Sequence, residues 1–415
     1  MISLNQLKKW RRENNRKVFS SRPVNNLHLH TPHSFSYFPS IAKAIKEAKK
    51  QDIKVLGISD FYTTEGYDEF TLLCNKQNIF PIYGMEVMSL DKQYQRKGLL
   101  YNDPQNPGRV YLCGKGFRYP VTPGKWETAL LNRVKKASNQ RMEEMINKLN
   151  LTLNRTCSGS GLALEKKKIP LWFSYDEISK STPSGWVRER HLSQMLYEKI
   201  NHLSNNSELF SILCGEEIKK ENNNSAFIQN KLRENLLKAG KVAYVEEKHD
   251  AFLTLEEAKT LFLKFGGVPI YPVLIDGAPK LTHFEEEPLH LAKELKKLGY
   301  FAVEFIPHRN NLSVLKKYVN CLKGKGFIIT VGTEHNTTEN FSLKPVTKDS
   351  DKFDESLMET FWEGCCIITA HQYLKSIGEE GFVDEQGNRT VKSRKELKEI
   401  GETKIAYYLK GGENK

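Results

Sequence analysis

The sequence predicts an α/β fold of the barrel type, and two patterns support this. Short apolar runs typical of buried strands alternate with amphipathic helical segments over residues 25–120, and the alternation resumes at Leu253. Several of these apolar runs end in a histidine or a carboxylate residue. Barrel enzymes gather their active-site groups at the carboxyl ends of their strands. We therefore expect these polar residues to share one mouth of a barrel.

The first strand end carries two histidines, His28 and His30, one residue apart. Successive side chains of a strand point to opposite faces, so these two imidazoles lie on the same face. Two imidazoles on one face can bind a single divalent metal ion. An H-x-H pair alone is weak evidence, and its weight comes from the strand ends that follow. Those ends carry Asp60 after residues 53–58, Glu86 after residues 79–84, and Glu334 with His335 after residues 326–331.

The other elements follow the same alternation. Residues 41–48 are amphipathic and predict a helix between the first two strands. Turn-forming residues cluster at 101–108 and predict a loop near the site. After residue 253 the pattern predicts a helix over 289–298, a strand over 300–305 and a helix over 315–322.

These motifs resemble the polymerase-and-histidinol-phosphatase (PHP) family of metal-dependent phosphoesterases. The usual H-x-H-T-x-x-S-D-G stands here as His28 to Ser36, and the usual I-T-D-H-x-T stands as Ile58 to Thr63. Gly84-Met85-Glu86-Val87 corresponds to G-x-E followed by Val or Ile, and Gly332 to Asn336 is similar to the closing G-S-D-x-H. The resemblance is strongest to the branch of 5′-3′ exonucleases and nucleotide phosphoesterases.

The resemblance implies a distorted (β/α)7 PHP barrel with an inserted helical subdomain and a mainly helical C-terminal extension. On this basis we divide the chain into a basic arm over residues 1–24, a PHP barrel over 25–344 and an extension over 345–415. The insertion spans about residues 120–245, where the pattern becomes helical and polar.

The resemblance also implies a ligand set and a metal. His28, His30, Glu86 and Glu334 would hold one divalent ion, with Glu334 in place of the usual aspartate. Two imidazoles and two carboxylates suit Zn, Mn or Fe. A second metal site stays open, because aromatic residues replace three expected histidines: Phe61, Tyr111 and Tyr271. Spare imidazoles that could rebuild it are His33, His308, His335 and His371.

Further roles follow from the same resemblance. Asp60 or His335 would orient the attacking water during hydrolysis. The insertion would contribute phosphate contacts from Arg188, Arg190 and His191. Tyr111 and Tyr271, at the places of lost ligands, would line the substrate site as a platform on which a base can stack.

Charge is the main compositional signal in the 415 residues, which carry a net charge of +13. Residues 1–22 contain seven basic residues against a single glutamate, Glu13. Such an arm either attracts a phosphate backbone or docks on the protein with its basic face in water. Nucleic acid is therefore the expected partner of the protein.

Several classes are excluded. The sequence has no G-x-x-x-x-G-K followed by Ser or Thr and no G-x-S-x-G, so we expect neither a P-loop ATPase nor an ordinary serine hydrolase. Seven cysteines without a C-x-x-C pair argue against a disulfide framework or a zinc ribbon. No apolar stretch suits a membrane span or a signal peptide, so a cytoplasmic protein is expected.

Two function hypotheses remain at this stage. The first is a metal-dependent phosphoesterase, most simply a nuclease that hydrolyses phosphodiester bonds. The second is a PHP module that has lost hydrolysis and binds a partner or nucleic acid in a larger assembly. Some members of the family lie beside ATPases in bacterial antiviral defence loci, so an ATPase partner is suggested by analogy alone.

Overall fold

A computed structural model describes residues 2–14, 19, 21–159, 171–204, 206–218 and 224–412 of the chain. Seven strands form one sheet whose spatial order is the order of the chain. They are β1 (Val24–Leu29), β2 (Ile53–Ile58), β3 (Phe80–Leu90), β4 (Arg109–Lys115), β5 (Val268–Val273), β6 (Ala302–Phe305) and β7 (Ile328–Val331). The sheet nearly closes into a barrel, because the Glu334 N–H donates to the His28 carbonyl at 2.8 Å beside the end of β7.

Strand direction explains why the barrel is distorted. β1, β2 and β3 are parallel, and so are β5, β6 and β7. β4 runs antiparallel to both of its neighbours. The first half of β3 pairs with β2, and its second half pairs only with β4, so β3 is eleven residues long. The sequence predicted that Glu86 follows a strand, but as a result of this pairing Glu86 lies within β3.

The described residues contain fourteen α-helices. They are α1 (Leu4–Glu13), α2 (Ile41–Lys50), α3 (Tyr67–Gln77), α4 (Lys92–Arg96), α5 (Lys125–Gly159), α6 (Tyr175–Lys180), α7 (Glu189–Asn201), α8 (Asn206–Cys214), α9 (Ser225–Leu236), α10 (Leu255–Lys264), α11 (Pro288–Lys297), α12 (Leu312–Gly324), α13 (Glu355–Ser376) and α14 (Arg394–Leu409). None of them is long and apolar enough to span a membrane.

The helices around the barrel form for reasons visible in the sequence, as α2 illustrates. Its apolar residues Ile41, Ala44, Ile45 and Ala48 recur at helical spacing, and all four are buried against the sheet. The Ser40 hydroxyl caps the helix by accepting the Lys43 N–H at 3.2 Å. Burial of each isoleucine contributes roughly 2 kcal/mol.

The predicted insertion has a hydrophobic cluster of its own. It is built from the long helix α5 together with α6 to α9, and its buried members include Met145, Leu196, Phe210 and Leu232. The Asn-rich segment at residues 221–223, between α8 and α9, lies outside the described residues. The chain returns to the barrel at α10, near the position that the sequence predicted.

The C-terminal extension closes the end of the barrel opposite the candidate site. α13 is buried along most of its length, and Cys365 to Ile368 pack with inward-facing strand residues such as Val55 and Ile270. α14 packs on α13. This arrangement matches the helical extension that the sequence predicted.

The N-terminal arm is docked on the extension over its described part. Leu7 of α1 is buried, and the Arg11 guanidinium donates to the Thr403 hydroxyl of α14 at 2.6 Å. Arg16 and Lys17 lie outside the described residues. Of the two interpretations left open above, the geometry of α1 favours the docking segment.

Candidate metal centre

Three predicted ligands converge at the carboxyl-end mouth of the barrel. The Nε2 atoms of His28 and His30 are 3.1 Å apart, and Glu86 Oε2 lies 3.0 Å from the second and 3.5 Å from the first. All three side chains are buried. Two nitrogens that bind the same metal ion at about 2.1 Å lie roughly 3.0–3.4 Å apart. The spacing and the donor types therefore fit one divalent ion.

Hydrogen bonds on the far side of each imidazole direct the Nε2 atoms toward this point. His28 Nδ1 lies 2.6 Å from Glu304 Oε2, and His30 Nδ1 lies 3.0 Å from the Ser34 hydroxyl. A carboxylate at Nδ1 accepts its proton and leaves the lone pair on Nε2, which is the usual arrangement around histidine metal ligands.

Electrostatics hold the carboxylates in their ionised forms. Burial raises the pKa of Glu86, but hydrogen bonds with His28 and His30 bring it well below its ordinary value. Burial likewise opposes ionisation of Glu304, and the neighbouring Lys115 and His28 outweigh it and lower its pKa. The site is therefore prepared for a cation.

Sequence reasoning missed Glu304 and Lys115. The Lys115 ammonium is fully buried, 3.2 Å from Glu304 Oε2, and donates to the Leu27 carbonyl at 2.6 Å. For Glu304 a signal was present, since it is the only charged residue of the apolar strand β6. His28, Cys113 and Glu304 also lie close enough to hold a metal. Because Lys115 already neutralises Glu304, we assign no ion to that second group.

The fourth expected ligand, Glu334, is engaged elsewhere. Its Oε2 lies 2.5 Å from the Arg309 guanidinium and accepts the Asn336 side-chain N–H at 3.1 Å. Its backbone nevertheless pairs with Leu29, the residue between the two histidines. The Glu334 N–H donates to the His28 carbonyl, and the His30 N–H donates to the Glu334 carbonyl, both at 2.8 Å. Glu334 thus borders the centre without facing the same point.

Asp60 has a different environment from the one expected of a group that orients water. Its carboxylate accepts the Thr31 N–H at 2.7 Å and hydroxyl hydrogen bonds from Thr31 and Ser34. Its Oδ1 is 4.0 Å from His30 Nδ1. Asp60 therefore fixes the loop that follows β1 and supports the hydroxyl that contacts His30.

His335 points away from the three ligands. Its ring packs between Phe38 and Phe341, at centroid distances of 5.3 and 4.0 Å, and its nitrogens contact the Thr333 hydroxyl and the Phe341 carbonyl. Burial lowers its pKa to about 4.

The other three spare histidines also have partners away from the ligands. His308 packs on Phe341, and His371 contacts the Gly266 carbonyl near the opposite end of the barrel. His33 Nδ1 lies 4.0 Å from Glu65. None of the four lies among the grouped candidate ligands of the described chain.

The aromatic replacements occupy different places. Phe61 stacks on His30 with ring centroids 4.9 Å apart, and Tyr111 lines the pocket above it. Tyr271 faces the outer layer and packs on Phe284 at 5.5 Å. The expectation that Tyr271 lines the cavity is therefore wrong. Side chains alternate along β5, and the register with β6 places Pro272, not Tyr271, on the face of Glu304.

A pocket of about 370 Å³ opens at Glu86, between the barrel and the insertion. Its described lining carries more cations than carboxylates. The cations are Arg109, Arg141, Arg188, Arg190, Arg233, Lys238 and Arg309, and the carboxylates are Glu86, Asp103, Glu189, Glu247 and Glu334. Most of the cations have ion-pair partners, such as Glu189 with Arg141 at 3.1 Å.

Of the three predicted phosphate contacts, Arg188 is the one whose buried side-chain nitrogens lack hydrogen-bond partners. Its guanidinium lies 4.4 Å over the Phe61 ring, and its Nε and Nη2 are buried without a hydrogen-bond partner. Arg190 lines the same pocket but donates to Asn230 at 3.0 Å. His191 accepts the Arg188 N–H at 3.0 Å and caps α7, and burial lowers its pKa to about 3. It serves the helix rather than a ligand.

Comparison with known families agrees with this geometry. Residues 26–161, which include His28, His30, Glu86 and Lys115, match the family model of the PHP domain. This segment of the chain is similar to the PHP domain. No curated protein is significantly similar in sequence.

Two solved structures resemble most of this chain. One is a protein from Bifidobacterium adolescentis named as a metal-dependent phosphoesterase, 14% identical with a TM-score of 0.51 over 80% of this chain and 95% of that chain. The other is an amidohydrolase from Chromobacterium violaceum with bound sulfate and no metal, 14% identical with a TM-score of 0.50 over 77% and 92%. At this identity the likeness shows that the fold is shared.

Proposed function

We propose that this protein is a metal-dependent phosphoesterase that acts as a nuclease on phosphodiester bonds. One Zn, Mn or Fe ion would be held by His28, His30 and Glu86. The observation that carries the proposal is the buried guanidinium of Arg188, whose Nε and Nη2 have no partner and which lines the same pocket as Glu86. Buried polar groups without partners are rare, and an unpaired guanidinium matches the oxygens of a phosphate.

The residues divide the chemistry between them. A bound ion would lower the pKa of a coordinated water and polarise a phosphoryl oxygen. Arg188, whose guanidinium lies 4.4 Å from the Phe61 ring and 5.6 Å from the Trp186 ring, would hold the phosphate beside the ligands. The insertion lines one side of the pocket, and the lower exposure to water there would strengthen these interactions. In this proposal Asp60 and His335 take no direct part.

Nucleic acid is the substrate class that the charge distribution supports best. The chain carries a net charge of +13, and the pocket lining has an excess of cations. The ring of Tyr111 lies 6.2 Å from that of Phe61 in the pocket, which offers an aromatic surface for a base.

A second candidate is a PHP module that binds nucleic acid or a partner without hydrolysis. Two observations favour it. Phe61 packs against His30 at the position of an expected second-metal histidine, and Glu334 is paired with Arg309. A centre with three converging ligands stabilises the attacking and leaving oxygens less well than a two-metal centre.

Turnover separates the two candidates. The purified protein is assayed with Mn, Zn or Fe(II) on single-stranded oligonucleotides and on a phosphomonoester. We expect His28→Ala to abolish turnover while strand binding persists, and Arg188→Gln to lower kcat/KM by roughly 10- to 100-fold, since a charged hydrogen bond is lost. The exposed His290→Ala is the matched control and keeps full activity. Strand binding without turnover under every metal would favour the binding module.

A further inference from the structure

Arg309 stands out among the pocket cations because of the carboxylate it holds. It ends the short 3-10 helix Pro307–Arg309 that follows β6, and its side chain is one-third exposed in the pocket. Its guanidinium lies 2.5 Å from Glu334 Oε2. No motif in the sequence points to it.

Glu334 is held beside the three converging ligands through its backbone. Its N–H donates to the His28 carbonyl, and its carbonyl accepts the His30 N–H, both at 2.8 Å. Its φ of 59° lies in the left-handed region, which non-glycine residues adopt rarely. The side chain itself is only 7% exposed.

We propose that Arg309 is a phosphate-binding residue that exchanges Glu334 for the phosphate of the substrate, and that the released Glu334 then completes the metal's ligand set. A phosphate oxyanion competes directly for the guanidinium. A buried carboxylate that loses its cation is strongly destabilised, so Glu334 must turn to another cation. Metal binding and phosphate binding are therefore coupled. The inference rests on the proposed function, because it needs a metal at His28, His30 and Glu86.

Coupling between two ligands is reciprocal and is measured as a change in affinity. The test is a calorimetric titration of Mn²⁺ into the full-length protein, with and without saturating inorganic phosphate. We expect phosphate to tighten the wild-type Kd for Mn²⁺ by about 5-fold or more. Arg309→Gln frees Glu334 permanently, so Mn²⁺ should bind tightly without phosphate, and phosphate should add nothing.

Two further variants sharpen the result. Glu334→Gln should also abolish the coupling. Its Kd for Mn²⁺ should stay weak with or without phosphate, because only three ligands bind the metal. Arg133→Gln breaks an Arg–Glu pair at the surface, with Glu257, and should behave as wild type. If phosphate acted only by binding the metal directly, it would lower the Kd for Mn²⁺ equally in the wild type and in Arg309→Gln. That result would overturn the proposed exchange.

The possible failures are distinguishable. If the wild type binds Mn²⁺ and phosphate leaves its Kd unchanged, the exchange is wrong and the metal centre stands. If the wild type binds no Mn²⁺, the proposed function fails, and the inference fails with it.

Discussion

At the scale of single residues, the metal centre depends on groups that do not face the metal. The Nε2 atoms of His28 and His30 converge because their Nδ1 atoms are engaged by Glu304 and Ser34. Glu304 in turn is held by the buried Lys115. The chain thus maintains a buried charged network beneath the ligands, and the network fixes the tautomer of His28.

Glu304→Gln tests this role at nearly constant side-chain volume. Removing the charge weakens the interaction with His28 Nδ1 and lets the imidazole change tautomer or rotate. We expect the Kd for Zn²⁺, measured by competition with a chromophoric chelator, to weaken by about 10- to 100-fold. Glu285→Gln changes another buried carboxylate, which contacts the Leu274 and Ile275 N–H groups, and should leave the Kd unchanged. An unaltered affinity in Glu304→Gln would show that Glu304 only supports packing.

Sequence reasoning reached His28, His30 and Glu86 because each stands at a recognisable place along a strand. It missed Glu304, Lys115 and Arg309, because their importance comes from ion pairs between residues that are not neighbours in the chain. It misplaced Tyr271 because a strand has a period of two, and an error of one residue reverses the face.

At the scale of elements, the barrel is closed at one end by close backbone contact with the extension. A Cβ added at Gly364 of α13 would lie 1.9 Å from the Ile329 carbonyl oxygen, and one at Gly401 of α14 would lie 1.8 Å from that of Cys366. Glycine at these two positions lets α13 lie against β7 and α14 against α13.

Gly401→Ala should therefore lower the free energy of unfolding by about 3 kcal/mol, because the clash is with backbone and cannot be relieved by a rotamer change. Gly324→Ala is the matched control: Gly324 ends α12 and has nothing within 4 Å, so alanine should stabilise by about 0.5 kcal/mol. Urea unfolding measures both. Equal stabilities of the two variants would mean that α13 and α14 pack more loosely than described.

Elements with one clear period were predictable, and those with mixed pairing were not. β2 has the bounds that the sequence predicted, and the predicted helix over 41–48 is extended by two residues in α2. β3 continues well past Gly84, because its later residues pair with the antiparallel β4. Hydrophobic alternation is the same for parallel and antiparallel partners, so the sequence could not reveal this.

At the scale of the whole molecule, the pocket joins the barrel and the insertion. The barrel supplies His28, His30 and Glu86, whereas the insertion supplies Arg188 and Arg190. The extension and the docked α1 lie at the other end of the barrel, away from this pocket. A metal centre on one side of the pocket and arginines on the other suit a phosphate ester, because its negatively charged oxygens can contact both.

The central claim is that His28, His30 and Glu86 hold one divalent metal ion. Elemental analysis of protein purified with Mn, Zn and Fe available tests it most directly. We predict about one bound ion per chain in the wild type and in His290→Ala, and essentially none in His30→Ala, because loss of one ligand opens the shell. Equal metal content in the wild type and His30→Ala would contradict the account.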